Sequence, residues 1–198
     1  SVYDRAPSAD STASLRAVVD AAPGTPISGD AQFRIGRRLF EAKKFADAAV
    51  EFQRFSVDFT GNPKLKKAQF LLAESYFSAE KHDDAVRAFE RFLDNFPTSE
   101  DTPLALFHLA SAHYALKSFE PAAKNYQRLI DDYASSEYAK AALYNLALAY
   151  KATGKLDRAE ESYRRYAAQA APGESSGKEA LWGRIGPVIS AWGCRKRS

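Results

Sequence analysis

Few side chains in this sequence have the types and spacing that bond-breaking chemistry demands. There are three histidines and one cysteine. His108 and His113 stand five apart, too far round a helix to share a metal, and His82 falls beside a turn. Cys194 by itself makes neither an internal disulfide nor a cysteine-based metal cluster. No glycine-rich phosphate loop and no His-Glu metal motif is present. Acidic residues are plentiful, but on helix exteriors any two fall near one another somewhere, so no pair stands out as acid and base. The expectation is therefore a non-enzyme with no catalytic residues, no metal and no cofactor. What does recur is charge at a fixed interval: Arg54, Arg91, Arg128 and Arg165 lie 37 residues apart. Asp58 and Asp132 follow two of them by four, a spacing that gives exposed helix pairs worth a few tenths of a kcal/mol. Those arginines read as solvated outer-face residues. The run Arg195-Lys196-Arg197 reads as a solvated end, although it has the charge to touch an acidic partner or a lipid headgroup.

The net charge is +3, and those three tail residues alone account for it. The remaining sequence has no basic field for nucleic acid, so no nucleic-acid partner is expected. With 45% apolar residues the chain can bury a continuous core. No apolar run approaches the roughly 18 residues a spanning helix requires, so no stable membrane insertion of this chain is expected. Methionine is absent altogether, which suggests a processed or excised polypeptide whose precursor's address is not written here.

The 37-residue interval extends far beyond the arginines. Gly36, Ala73, Ala110 and Ala147 form one column, Ala48, Ala85, Ala122 and Ala159 a second, and Phe52, Phe89, Tyr126 and Tyr163 a third. Self-similarity at such a period marks a solenoid, whose units bury their apolar faces only by stacking. Each unit reads as two amphipathic helices. In the first, Phe33, Gly36, Leu39 and Phe40 share one stripe; after a turn near Lys43-Lys44, Phe45, Ala48, Ala49, Phe52 and Phe55 share another. Small residues facing aromatic ones let two antiparallel helices cross closely.

The punctuation between units fits helix starts. Asn62-Pro63, Thr98 or Ser99 before Glu100 and Asp101, and Ser136 before Glu137 each combine a capping side chain with a proline or an acid in the first turn. Residues 1–29 read as a linker or N-terminal extension, with a short helix over Ser14 to Ala22 ahead of the breaker Pro23-Gly24-Thr25-Pro26. The array is expected over 30–170, in units at about 30–66, 67–103, 104–140 and 141–170. Residues 171–198 read as a linker, then a short stripe of Trp182, Ile185, Ile189 and Trp192 able to cap the array, then the basic tail.

These columns resemble the tetratricopeptide repeat, whose pattern is carried here by Ala73, Tyr76, His82, Ala85 and Phe89 and again by Ala147, Tyr150, Leu156, Ala159 and Tyr163. The resemblance covers about 140 residues. It implies an all-α fold: a right-handed α-solenoid of four helix hairpins, which the Trp182 to Trp192 stripe could close as a C-terminal capping helix. The usual period is 34; the extra residues fall at junctions such as Phe96-Pro97-Thr98-Ser99 and Tyr133-Ala134-Ser135-Ser136. Such junctions look like the bacterial envelope branch of the family, which includes the periplasmic protein associated with the Tol-Pal system and the outer-membrane-assembly lipoprotein. The resemblance therefore implies a periplasmic or envelope location, with the cytoplasm as the alternative. Lys43, Glu80 and Lys117 occupy a turn column where the family favours glycine and only Gly154 conforms, while Thr60 and Ala134 replace the junction proline.

The family binds peptides on a concave surface lined by first helices. Transferred residue by residue, that surface would present Phe33, Arg37 and Phe40; Phe70, Glu74 and Phe77; Phe107, Ser111 and Tyr114; and Tyr144, Leu148 and Lys151. Each set lies at i, i+4 and i+7, one helix face. Aromatic residues outnumber Lys and Asn there, which disfavours a clamp for a terminal carboxylate and favours an apolar or amphipathic segment of a partner protein. The expected function is thus a protein-interaction scaffold in an envelope complex. Alternatives are a structural or self-association module, or a regulatory part of a larger enzyme.

Overall fold

The computed structural model describes residues 11–169. The expected linker beyond 171, the Trp182 to Trp192 stripe, Cys194 and the basic tail lie outside the described residues. All elements among the described residues are α-helices: α1 (Thr12–Ala21), α2 (Pro26–Glu41), α3 (Phe45–Asp58), α4 (Leu65–Ser78), α5 (His82–Asn95), α6 (Thr102–Ala115), α7 (Phe119–Asp132), α8 (Glu137–Ala152) and α9 (Leu156–Ala168). The all-α helical-repeat class inferred from the columns is the class observed. Two compact units divide the chain, 1–116 with α1 to α6 and 117–198 with α7 to α9.

In the first unit each helix packs on its successor. One core cluster runs through α2, α3 and α4 and gathers Phe33, Ala48, Ala49, Phe52, Phe55, Ala68 and Leu72. The alanine columns work as spacers. Gly36 lies so close to Phe52 that a Cβ there would stand 2.8 Å from the ring, which is why this member of its column is glycine. In the second unit α8 packs on both α7 and α9, and Ala147 with Tyr163 forms one core cluster, flanked by Tyr144 and Leu148.

The turns inside the repeats share one geometry. Lys43, Glu80 and Lys117 have φ of 58°, 57° and 59°, and Gly154 has 73°. The hydrogen bonds follow one pattern at the first, second and fourth of these turns. Lys43 N–H donates to Phe40 O and Lys44 N–H to Leu39 O, each at 2.9 Å or less; Glu80 and Lys81 repeat the pattern on Phe77 and Tyr76, and Gly154 and Lys155 on Lys151 and Tyr150. This paired closure consumes the last carbonyls of the first helix and needs a left-handed residue at its corner. The next carbonyl then accepts from the alanine that follows, as Lys44 O does from Ala48 N–H and Lys81 O from Ala85 N–H. The lysines and glutamate in the glycine column therefore leave the turn geometry intact.

The junctions between repeats are equally regular. Asn62, Ser99 and Ser136 each accept, through the side chain, the N–H two residues on, at 2.9, 3.3 and 3.2 Å. Their backbone carbonyls accept the N–H three residues on. These are the helix starts expected at those residues, although at Asn62 and Ser99 the helix proper begins three residues later. The expected boundaries fall inside first helices; the observed first helices begin at residues 26, 65, 102 and 137.

The N-terminal expectation needs a larger correction, because residues 12–29 are part of the packed array. Helix α1 starts two residues before the predicted short helix and ends one residue before its end, and Leu15 is buried with Ala31 and Ile35 of α2. Thr25 caps α2, accepting from Ser28 N–H at 3.2 Å, and Pro26 stands in its first turn. The apparent breaker is thus a helix start. The register continues too: Leu15, Val18 and Thr25 stand 37 residues before Phe52, Phe55 and Asn62. Helix α1 corresponds to the second helix of a preceding unit. A part-buried network fixes it in place, with Arg16 donating to both oxygens of Glu51 on α3 at 3.1 and 2.5 Å, and Gln32 of α2 donating to the same carboxylate.

Candidate functional site

First helices of successive repeats meet through pairs separated by 34 residues. Lys64 Nζ reaches Asp30 at 2.6 Å, Lys67 Nζ reaches Asp101 at 3.1 Å, and His108 Nδ1 bonds Glu74 at 2.6 Å. These pairs hold the first-helix faces of the first unit side by side, and α4 touches α6 directly. The side chains of Lys64, Asp30 and Lys67 are exposed and only that of Asp101 is largely covered, so each pair contributes little to stability.

Around His108 the side chains form a ledge. The Phe77 ring stacks on the imidazole with centroids 4.6 Å apart and planes 10° from parallel. Phe107 tilts against the same imidazole at 5.8 Å. From behind, Phe77 is held edge-on by Phe89 at 6.4 Å and His82 at 6.0 Å. Phe77, Phe107, His108 and Tyr114 are all half-buried. Ser111 is not a spare donor, because its hydroxyl bonds the Phe107 carbonyl at 2.8 Å. On α2, Phe40 is half-buried against Phe45 at 5.3 Å, and exposed Arg37 pairs with Glu41 at 2.7 Å.

Two predicted surface residues belong to the interior. Phe33 is 7% exposed and Phe70 4%. Phe33 lies edge-on to Phe52 and Phe55 at 5.8 and 5.6 Å, and Phe70 lies 5.4 Å from Phe92. Both point to the second helix of their own hairpin, so neither lines an open face. Lys64 and Lys67 cover the rings, with Nζ 5.6 and 4.9 Å from the centroids. In the second unit, Tyr144 is half-buried against Tyr163 and Tyr166 at 5.8 and 5.5 Å, Leu148 packs on the Ala147 and Tyr163 core, and Lys151 is exposed.

His108 is missing from the set predicted by sequence, in which it has only a structural part. Its signal is the 34-residue separation from Glu74, the same separation that joins Asp30 to Lys64 and Lys67 to Asp101. His113, five residues on, is different in character: burial lowers its pKa below the ordinary histidine value, with Glu90 opposing. Burial, and then Asp84, raise that of Tyr76.

Stacked helix pairs with aromatic first-helix faces define a helical-repeat protein of the scaffold type. The chain belongs to the tetratricopeptide repeat family, whose model matches residues 70–137 and 119–175, together more than half of the sequence. A search of curated proteins found no match. Among solved structures, MamA of AMB-1 is similar with a TM-score of 0.66 at 17% identity, over 83% of this chain and 85% of that one. The nearly identical TPR-like repeats of a kinesin light chain from Podosopora anserina give 0.63 at 18%, over 79% and 84%. MamA from Desulfovibrio magneticus RS-1, from residue 41 onward, gives 0.65 at 12%, over 81% and 86%. At these identities the likeness is one of fold.

Proposed function

We propose that this chain is a non-catalytic adaptor that holds an apolar or amphipathic segment of a partner protein on the first-helix face of its first unit. The ledge formed by Phe77 on His108 carries this reading. Aromatic anchors supply much of the energy at protein interfaces. Here they are already fixed by stacking and by the Glu74 bond, so binding orders few side chains and that cost is small. Phe40 and Tyr114 extend the apolar surface, and Arg37 supplies a charge at its edge. In the second unit, Tyr144, Leu148 and Lys151 offer a smaller face of the same kind. Tetratricopeptide scaffolds generally work without catalysis, which agrees with the lack of any acid, base or nucleophile set in the sequence.

Selection from a random peptide library on the immobilised chain tests the reading. Recovered peptides should be rich in apolar residues at helical spacing and should bind the Phe77→Ala, Tyr114→Ala variant at least about tenfold more weakly, with its circular dichroism unchanged. Peptides without apolar anchors, or equal binding to the variant, would refute it. The same reading has the adaptor working in a bacterial envelope complex, supported by the 37-residue period and the Phe96-Pro97-Thr98-Ser99 junction. Fractionation of the native host bears on this directly, and a purely cytoplasmic gene product would exclude it.

A further inference from the structure

Away from the ledge, α3 and α5 of the first unit flank α4. Between them is a cleft of about 210 Å³, lined by Gln53, Ser56, Gln69, Leu72, Ala88 and Arg91 among others. On the measure by which cavities are usually compared, about 150 Å³ holds a benzene ring. The space is therefore enough for a small organic group.

The internal repeat shows what such a space accepts. Shifting each lining residue back by 37 positions leads from α3, α4 and α5 to α1, α2 and α3. Gln53 then corresponds to Arg16, Gln69 to Gln32, Ala88 to Glu51 and Arg91 to Arg54. At that earlier step the space is filled by the protein's own carboxylate. Glu51 is 5% exposed; it accepts from Arg16 at 3.1 and 2.5 Å and from Gln32, and Arg54 Nη1 stands 3.9 Å away. At the later step the carboxylate has become the methyl group of Ala88, while the amide and one guanidinium remain. Asn95 Nδ2 donates to Gln69 Oε1 at 2.9 Å, which leaves Gln69 with its amide hydrogens to give. Arg87 is engaged by Asp84 at 2.6 Å; no ion pair of that kind engages Arg91 among the described residues.

Two further features show that the space is held open. Ser56 is 2% exposed, yet its hydroxyl has no hydrogen-bond partner, an arrangement that works against stability. Ser75, Ser111 and Ser162, also on helices, all bond the carbonyl four residues back. One and two repeats further along, the position of Ser56 is taken by Leu93 and Ile130, both buried. Likewise the position of Gln69 is taken by Leu106 and Leu143, both fully buried. Where later repeats have buried apolar residues at these positions, this one has small and polar residues.

We infer that the cleft over α4 binds a carboxylate carried on a small apolar body, in the place that Glu51 fills one repeat earlier. Arg91 and the Gln69 amide meet the carboxylate, and Leu72 and Ala88 meet the body. The carboxylate has two possible sources, a free organic acid or an acidic side chain of a partner protein. The cleft shares no residue with the peptide ledge, so the inference stands or falls separately from the adaptor reading.

Titration of the isotope-labelled chain by amide-resolved NMR distinguishes the outcomes. Benzoate and hexanoate represent free acids, N-acetylglutamate α-amide represents an acidic side chain, and benzamide is the neutral control. Saturable shifts are expected at Ser56, Leu72 and Ala88 with at least one acid, and benzamide should bind at least about tenfold more weakly. Preference for the free acids identifies a metabolite site; preference for the glutamate derivative identifies a docking point for a partner. Arg91→Gln alters an exposed side chain and should weaken acid binding about tenfold without changing the melting temperature. Ala88→Glu should abolish binding by restoring an internal occupant. Benzamide binding as well as benzoate, shifts centred elsewhere, no saturable shift with any acid, or unchanged binding in Arg91→Gln would each overturn the inference.

Discussion

Replacing Lys43, Glu80 and Lys117 together by glycine should stabilise the protein. All three have φ between 57° and 59°, where a side chain with a Cβ costs roughly 1–2 kcal/mol. Glycine returns about 0.4–1 kcal/mol of that through its greater freedom in the unfolded chain. The net gain is about 0.5–1 kcal/mol per site, since the three side chains are exposed and little packing is lost. The sites belong to different turns, so their effects should add, giving about 1.5–3 kcal/mol in all. For a chain of this length that corresponds to a rise in melting temperature of roughly 3–12 °C by calorimetry. Gly154 has φ of 73°, and a Cβ added there would meet nothing within 4 Å, so it supplies the reciprocal experiment: Gly154→Ala should lower the melting temperature although it creates no clash. A triple glycine variant that melts at or below the parent, or a Gly154→Ala variant that melts higher, would refute the assignment of left-handed corners to these turns.

The other expectations concern the ends of helices and their buried polar groups. Glu51→Ala deprives Gln32, 3% exposed, of its carboxylate acceptor, leaving it only the long 3.4 Å bond to the backbone carbonyl of residue 51, and should cost about 1–3 kcal/mol; partly exposed Arg16 regains water and adds less. Hydrogen exchange over Thr12–Ala21 should accelerate while α4 and α5 keep their protection, and unchanged protection in α1 would count against its docking through Glu51. Because folding lowers the pKa of His113, the unfolded chain binds that proton more readily. Its contribution to stability is complete above the unfolded value of about 6.5 and is lost as pH falls below it, down through the folded value. His113→Tyr, which installs the residue found at Tyr76 and Tyr150, should flatten the fall in melting temperature between about pH 7.5 and 5; an unaltered slope would contradict this. Ser136→Ala removes the bond to Tyr138 N–H and should cost about 1 kcal/mol by urea denaturation, with no loss if the cap is idle.

The repeat helices from residue 30 onward are legible in the sequence because alanine and aromatic columns repeat at one interval, and burial by stacking demands that regularity. The place of helix α1 in the array, though not the helix itself, is obscured because its members of the same columns, Leu15 and Val18, are aliphatic, and because Pro26 looks like a breaker when it is a first-turn residue. The binding face is only partly legible. A first helix shares its apolar stripe between its own hairpin partner and the open side, and spacing at i, i+4 and i+7 does not say which ring takes which. Phe33 and Phe70 consequently prove internal, whereas Phe77 and Phe40 keep a free edge. His108 escapes notice because its partner Glu74 is set by contact between adjacent repeats, at 34 residues, rather than by the repeat length itself. The cleft over α4 is visible in outline, as Ser56 standing in a column with Leu93 and Ile130, but that discrepancy acquires meaning only when Glu51 is seen occupying the corresponding space.

Within each unit, helices touch chiefly their immediate successors in sequence, and every such contact closes a connection of only a few residues. Chains organised in this way fold quickly, since no distant segments must find one another, and can begin at more than one place. Damage should be equally confined. An α1 that detaches exposes the flank of α2 and leaves α4 and α5 seated, so limited proteolysis of this protein should shorten it by whole helices from an end rather than destroy it in a single event.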